Sequence, residues 1–199
     1  MRSIISGAYS LFFDLGHAIH TNDESIFKYL LNEKTANKLT KGGFSPLHLS
    51  LICGANKFSY ELLEHKANPN HQFKNDRTDK EVSLLQDIVD LEKIPQAKLL
   101  IYYGAIASGV RVKPESLKEI QTAYDIYKSK IAPYKDKKTI EAYENLAQTW
   151  QEISEQEQDP LLKQCYRHKA QAYIDKLNKL DSSAPENLIL INEMKYKKI

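Results

Sequence analysis

The stretch Gly43-Phe44-Ser45-Pro46-Leu47-His48-Leu49-Ser50-Leu51-Ile52-Cys53-Gly54, continued by Phe58, Leu62-Leu63 and Ala67-Asn68-Pro69-Asn70, decides how the chain folds. Ser45 is suited to cap a helix by accepting a backbone N–H, and Pro46 suits the first helical position, where its missing donor would have no partner anyway. A helix therefore starts at Pro46. Leu47, Leu49 and Ser50 then face a neighbouring helix pair, and Gly54 can take the left-handed conformation that ends the helix. Phe58, Leu62 and Leu63 recur at helical spacing on a second helix, and residues 67–70 are turn chemistry leading onward.

These residues resemble an ankyrin repeat, whose signature is a Gly-x-Thr-Pro-Leu-His opening, a helix-ending glycine, a Leu-Leu pair and a closing Gly-Ala-Asp-x-Asn. Residues 43–70 match nearly every part, departing at Ser45 for threonine, Lys66 for the closing glycine and Asn68 for aspartate. The resemblance implies an all-α fold: a short ankyrin-repeat solenoid of helix pairs with hairpin loops, packed against a C-terminal helical bundle.

Two weaker copies flank this unit. Leu15, Ala18, Ile19, Asn22, Ile26 and Leu30-Leu31 lie thirty-two residues before Leu47, Ser50, Leu51, Gly54, Phe58 and Leu62-Leu63. Asn22 can replace the glycine because asparagine tolerates the left-handed conformation. Downstream, Ser83, Leu85, Leu91, Leu100-Ile101 and Gly104-Ala105 lie thirty-eight after Ser45, Leu47, Cys53, Leu62-Leu63 and Lys66-Ala67. The extra length falls in a charged hairpin over residues 71–82, and Pro95 is read in the turn between the two helices. About three repeats over residues 9–113 are expected, with residues 1–15 as a core-packed first helix and a further hairpin finger over residues 106–113.

From Pro114 the pattern changes. Leu117, Ile120, Tyr124, Tyr127 and Ile131 alternate by three and four, giving one apolar seam. A second helix over residues 136–156 aligns Ile140, Tyr143, Leu146, Ala147, Trp150 and Ile153. Asp159-Pro160 then caps a third, with Leu162, Cys165, Tyr166, Ala170, Tyr173, Leu177 and Leu180 on one side. The Tyr143 to Trp150 and Tyr166-Ala170-Tyr173 spacings are weakly similar to tetratricopeptide-like hairpins. The domains expected are 1–113, the repeat stack with its N-terminal capping helix; 114–181, three helices that bury their seams together; and 182–199, a linker and tail.

The 199 residues are 42% hydrophobic and 27% charged, the balance of a soluble globular protein able to bury a core. Against 28 Lys and Arg stand 26 Asp and Glu, too even for a dedicated nucleic-acid binder with a concentrated basic stripe. Cys53 and Cys165 lie too far apart in the chain to imply a disulfide framework or a thiolate metal cluster, so a reducing compartment is the simplest setting. No segment has the length of a membrane span or the pattern of a secretory signal.

Each residue with reactive chemistry has a structural reading beside it. In the resemblance, His48 ties neighbouring hairpins by hydrogen bonds rather than acting as a base. His17 and His20 could share a helix face, but zinc needs a third and fourth ligand, and no metal is expected. Cys165 and His168, three apart, permit a nucleophile and base, yet Cys165 sits on the apolar seam and no oxyanion-stabilising loop accompanies it. The acidic run of Glu152, Glu155, Glu157 and Asp159 reads as a solvated helix end. Phosphate-cradling glycine loops and nucleotide fingerprints are absent, and with seven glycines no cofactor is expected.

Repeat proteins present a long surface assembled from equivalent positions of successive units. The resemblance places partner contacts at the hairpin tips and late in each first helix: Lys41, Gly42, Phe44, Ile52 and Cys53 from the middle unit, Asp79, Lys80, Val82, Asp90 and Leu91 from the third, and His20 and Thr21 from the first. Phe44, Ile52, Val82 and Leu91 would form an apolar centre, with Lys41, Asp79, Lys80 and Asp90 as its rim. The expectation is a non-enzymatic protein-interaction module whose partner is another protein. It would be cytoplasmic, or in the host-cell cytosol if the chain is a bacterial effector delivered into eukaryotic cells; a dedicated inhibitor is the other form. Two alternatives stand beside it: an enzymatic or small-ligand site near Cys165, Tyr166 and His168, and a peripheral membrane protein anchored by Leu188–Ile191 with Lys195, Lys197 and Lys198.

Overall fold

The computed structural model describes residues 14–40, 43–75 and 79–181, and they form an all-α fold with one small two-stranded ribbon. The first-helix expectation over residues 1–13, the tips Lys41 and Gly42, and the tail over residues 182–199 lie outside the described residues. Two compact units divide the chain after Tyr127.

The first unit opens with α1 (Leu15–His20), α2 (Glu24–Leu30) and a single turn α3 (Glu33–Ala36). The decisive stretch folds as α4 (Pro46–Ile52) and α5 (Asn56–Glu64). Ser45 Oγ accepts from the backbone N–H of His48 at 3.1 Å, the cap its position called for. The ribbon β1 (Gln72–Asn75) and β2 (Lys80–Ser83) follows, antiparallel, with Phe73 opposite Val82. It leads into α6 (Leu84–Asp90), capped by Ser83 through the Gln86 N–H, and α7 (Ile94–Tyr102). Pro95 lies in the first turn of α7 rather than in the connecting turn, at a position whose N–H has no intrahelical partner to lose.

Among the described residues, five helix ends repeat one geometry. After α1, Asn22 at φ 54° donates to Ile19 O and Asp23 to Ala18 O. After α4, Gly54 at φ 69° donates to Leu51 O and Ala55 to Ser50 O; after α6, Glu92 at φ 57° donates to Val89 O and Lys93 to Ile88 O. The same pair of bonds closes α5 at Lys66 (φ 60°) and α7 at Gly104 (φ 94°). A left-handed residue satisfies carbonyls that the helix end would otherwise leave open, and it turns the chain sharply enough to start an antiparallel neighbour. The first helix pair departs from the pattern: α2 ends at Leu31 in extended backbone, and Asn32 and Thr35 close a reciprocal capping box that starts α3.

The first helices of successive pairs pack together, α1 on α4 and α4 on α6. The second helices are joined by Phe27 stacked on Phe58 at 4.3 Å and by a buried hydrogen bond from Gln96 Nε2 to Asn56 Oδ1 at 2.8 Å. Leu47, Leu51, Leu62, Leu84, Leu85, Ile88, Leu99, Leu100 and Ile101 are almost wholly enclosed. Two asparagines bridge the loops: Asn37 donates to Lys66 O and accepts from Asn68 N–H, and Asn70 donates to Gly104 O and accepts from Ile106 N–H.

The finger expected over residues 106–113 is not a strand pair. Instead the Gln86 amide brackets Arg111, donating to its carbonyl and accepting from its N–H. Helix α8 (Pro114–Ile126) follows, packs on α7 and lies within the first compact unit, past the boundary expected at residue 113. It buries Ile120 and Ala123, whereas Leu117 of the expected seam is 52% exposed. Gly104 has no Cβ, and one built there would sit 2.9 Å from the Tyr127 hydroxyl, so this glycine also makes room at the C-terminal end of α8. A π-helical turn over Tyr127–Ile131 continues α8.

The second unit contains α9 (Ile140–Gln156) and α10 (Pro160–Asp181). Thr139 caps α9, four residues later than the expected start, and Asp159 Oδ1 caps α10 by accepting from the Leu161 and Leu162 N–H groups. The two helices bury Leu146, Trp150 and Ile153 against Leu162, Cys165, Tyr166, Ala170 and Tyr173, with the Trp150 and Tyr166 rings 5.6 Å apart. Leu180, at the far end, is 37% exposed.

Candidate functional site

Helices α1, α4 and α6 close in the same left-handed geometry, which puts their last residues and C-caps in comparable places. These are His20 and Thr21, Ile52 and Cys53, and Asp90 and Leu91. All six are exposed. The α1 pair is polar, with Thr21 Oγ1 returned to the His17 carbonyl at 2.9 Å. The next two pairs carry Ile52, 38% exposed, and Leu91, 48% exposed, where a solvated helix end would normally carry polar groups. Asp90 is held by the Gln86 amide at 2.8 Å.

The hairpin-side residues divide differently. Phe44 is half-buried, its ring 4.9 Å from that of His48 and 5.7 Å from that of Phe73. Val82 is half-buried opposite Phe73 on the ribbon. Of the four apolar residues expected at the centre of the face, Ile52 and Leu91 alone are exposed. Asp79, at φ 55°, is exposed and paired with Lys74 at 2.6 Å across the ribbon, and Lys80 is exposed.

Sequence reasoning gave His48 a structural role without naming its partner. Its Nε2 lies 2.9 Å from Asp87 Oδ2 on α6, and since a carboxylate only accepts, the imidazole N–H is the donor. Asp87 carried no signal in the pattern, because the corresponding residue thirty-eight earlier is Leu49. His71, absent from the sequence reading, bonds through Nε2 to the Gly43 carbonyl at 2.9 Å and ties one loop to the preceding one.

In the second unit Cys165 is 7% exposed on the seam, and His168, one turn further along the same helix, is exposed. A groove of ≈ 250 Å³ between α9 and α10 is lined by residues that include Gln151, Ser154, Arg167 and Gln171, and by neither Cys165 nor His168. Among the described residues, no group of three or more His, Cys, Asp or Glu side chains could hold a metal ion, and no helix is long and apolar enough to cross a membrane. No family model matches the sequence, and no curated protein and no solved structure matches it either.

Proposed function

We propose that this protein is a non-enzymatic interaction module of the ankyrin-repeat kind, which captures a partner protein on the face formed by the ends of α1, α4 and α6. The observation that carries the reading is the exposure of Ile52 and Leu91 at equivalent ends of adjacent helices that are themselves packed together. Two large apolar groups on a rigid scaffold can serve as desolvating anchors at little entropic cost, since the scaffold is already ordered. Three features support the repeat assignment: the identical left-handed helix closures, the bridging asparagines Asn37 and Asn70, and the Ser45-Pro46 helix start. The partner class follows from the resemblance and includes host proteins if the chain is a delivered effector, which would place it in a eukaryotic cytosol.

The test pairs Ile52→Asp with Leu91→Asp. Phe44 is left intact, because its ring packs on His48 and Phe73 and its replacement would disturb the fold itself. The double variant should keep the wild-type circular dichroism melt and lose the proteins that the wild type retains from a eukaryotic lysate. Equal retention by both chains rejects this face.

A further inference from the structure

Of the six histidines, His48 alone is fully enclosed; the others are exposed or half-buried. Its ring lies 4.3 Å from that of Phe73 and 4.9 Å from that of Phe44, so two aromatic side chains occupy the space where water would solvate a charge. Nε2 donates to Asp87, while Nδ1 is enclosed and has no hydrogen-bond partner. That arrangement suits the neutral imidazole, whose Nδ1 carries only a lone pair. Protonation would put a new N–H at Nδ1 where no acceptor stands, and would bury a cation beside two rings.

The groups around the imidazole are few. From α6 comes the Asp87 carboxylate, 22% exposed, and from the turn ahead of β1 comes His71, whose charged form repels a second positive ring. The ribbon contributes Phe73. Helices α1 and α5, which also pack on α4, bury Leu15, Ala18 and Ile19 from the one and Asn56, Phe58, Ser59, Tyr60, Leu62 and Leu63 from the other, Tyr60 being the single titratable group among them.

We propose that the enclosed His48 imidazole is a proton-controlled latch: protonation keeps the bond to Asp87 but puts an unpaired N–H at Nδ1 into the space walled by Phe44 and Phe73, and so loosens α4 and the face that carries Ile52 and Leu91. The inference rests on this buried geometry and not on the identity of any partner. Burial drives the imidazole below its ordinary value of 6.5, against the opposing hydrogen bond and charge of Asp87. With a depressed folded value, the unfolded chain binds more protons in the interval between the two values, so stability rises with pH there. The contribution is therefore complete above the ordinary imidazole range and is lost as pH falls below it.

The full chain and its His48→Gln variant provide the test. Glutamine retains an N–H donor for Asp87 and cannot titrate. Urea midpoints measured from pH 8 to pH 5 should fall more steeply for the wild type, by at most about tenfold in the folding equilibrium per pH unit for one extra proton. Hydrogen exchange, corrected for intrinsic pH effects, should show α4 and α6 losing protection in acid while α9 and α10 keep theirs. An NMR titration of the intact wild type should place the His48 ring below the ordinary imidazole value, and this measurement stands even where the variant fails to fold. The latch is rejected by a His48 ring that titrates at or above the ordinary imidazole value, by parallel midpoint curves for the two chains, or by protection lost equally in all four helices.

Discussion

Asn37 and Asn70 make the same two hydrogen bonds, each donating to one backbone carbonyl and accepting from the N–H two residues further on in the next loop: Lys66 and Asn68 for the first, Gly104 and Ile106 for the second. An amide side chain is the one neutral group that can donate and accept side by side, so it can take the place of a strand partner for a loop that has none. Removing Asn70 leaves a part-buried carbonyl open. Asn70→Ala should lower stability by about 1–2 kcal/mol, and Asn37→Ala, at an exposed site, by less. Urea denaturation of both variants measures the order, and a larger loss at Asn37 contradicts it.

Gly104 combines φ 94° with a Tyr127 hydroxyl 2.9 Å from where a Cβ would stand. Alanine there is strained by the backbone and displaces the tyrosine, so Gly104→Ala should destabilise the first unit by about 1–3 kcal/mol. Adding Tyr127→Phe should recover part of that loss, because the closest atom to the new Cβ is the hydroxyl oxygen. A double-mutant cycle with zero coupling shows that the close approach plays no part.

Trp150, the only tryptophan, is 2% exposed beside Tyr166, with the Lys169 ammonium 5.9 Å from its ring centroid. Native emission should be blue-shifted relative to the unfolded chain and should report the α9–α10 pair alone. Tyr166→Ala opens a cavity in that seam and should cost about 3–5 kcal/mol. A red-shifted native spectrum contradicts the enclosed ring.

The two thiols should differ sharply. Cys53 is exposed at the end of α4, and Cys165 is buried in the α10 seam. Iodoacetamide at neutral pH should modify one thiol per folded chain and two per chain in denaturant. Rapid native labelling of Cys165 would instead favour an accessible site near His168.

Glu152 is held below the ordinary carboxylate range by its hydrogen bond from Lys130, over a smaller opposing effect of burial. Its contribution is present above that range and disappears as pH falls through the folded value. Both groups are partly exposed, so the contribution is screened by salt. Glu152→Gln should therefore alter stability only slightly at neutral pH, and less at 1 M salt than at low ionic strength. A large, salt-independent loss would show that Glu152 does more than pair with Lys130.

Much of the first unit was legible because its signals are local. Ser45 and Pro46 start a helix by their own chemistry, and Gly54 and Asn22 end one, with no distant residue needed. Non-glycine residues at the same turn were harder to read: Lys66 and Glu92 adopt the left-handed conformation only because the flanking helices hold them there. Leu117 of the expected α8 seam is exposed, and α8 lies in the first compact unit, for one reason. Amphipathic spacing marks a face to be buried but does not say against what, and α8 buries Ile120 and Ala123 on α7.

The amino-acid order by itself determined most helix starts and ends and the all-α class, since caps, turn formers and apolar periodicity act over a few residues. Which side chains meet between helices was settled only in three dimensions. Asp87 reaching His48, the Gln86 amide bracketing Arg111, Phe44 turning inward and Ile52 and Leu91 left outward depend on the offset between packed helices. That offset is a sum of many small contacts between residues distant in the chain, and no short stretch of sequence encodes it.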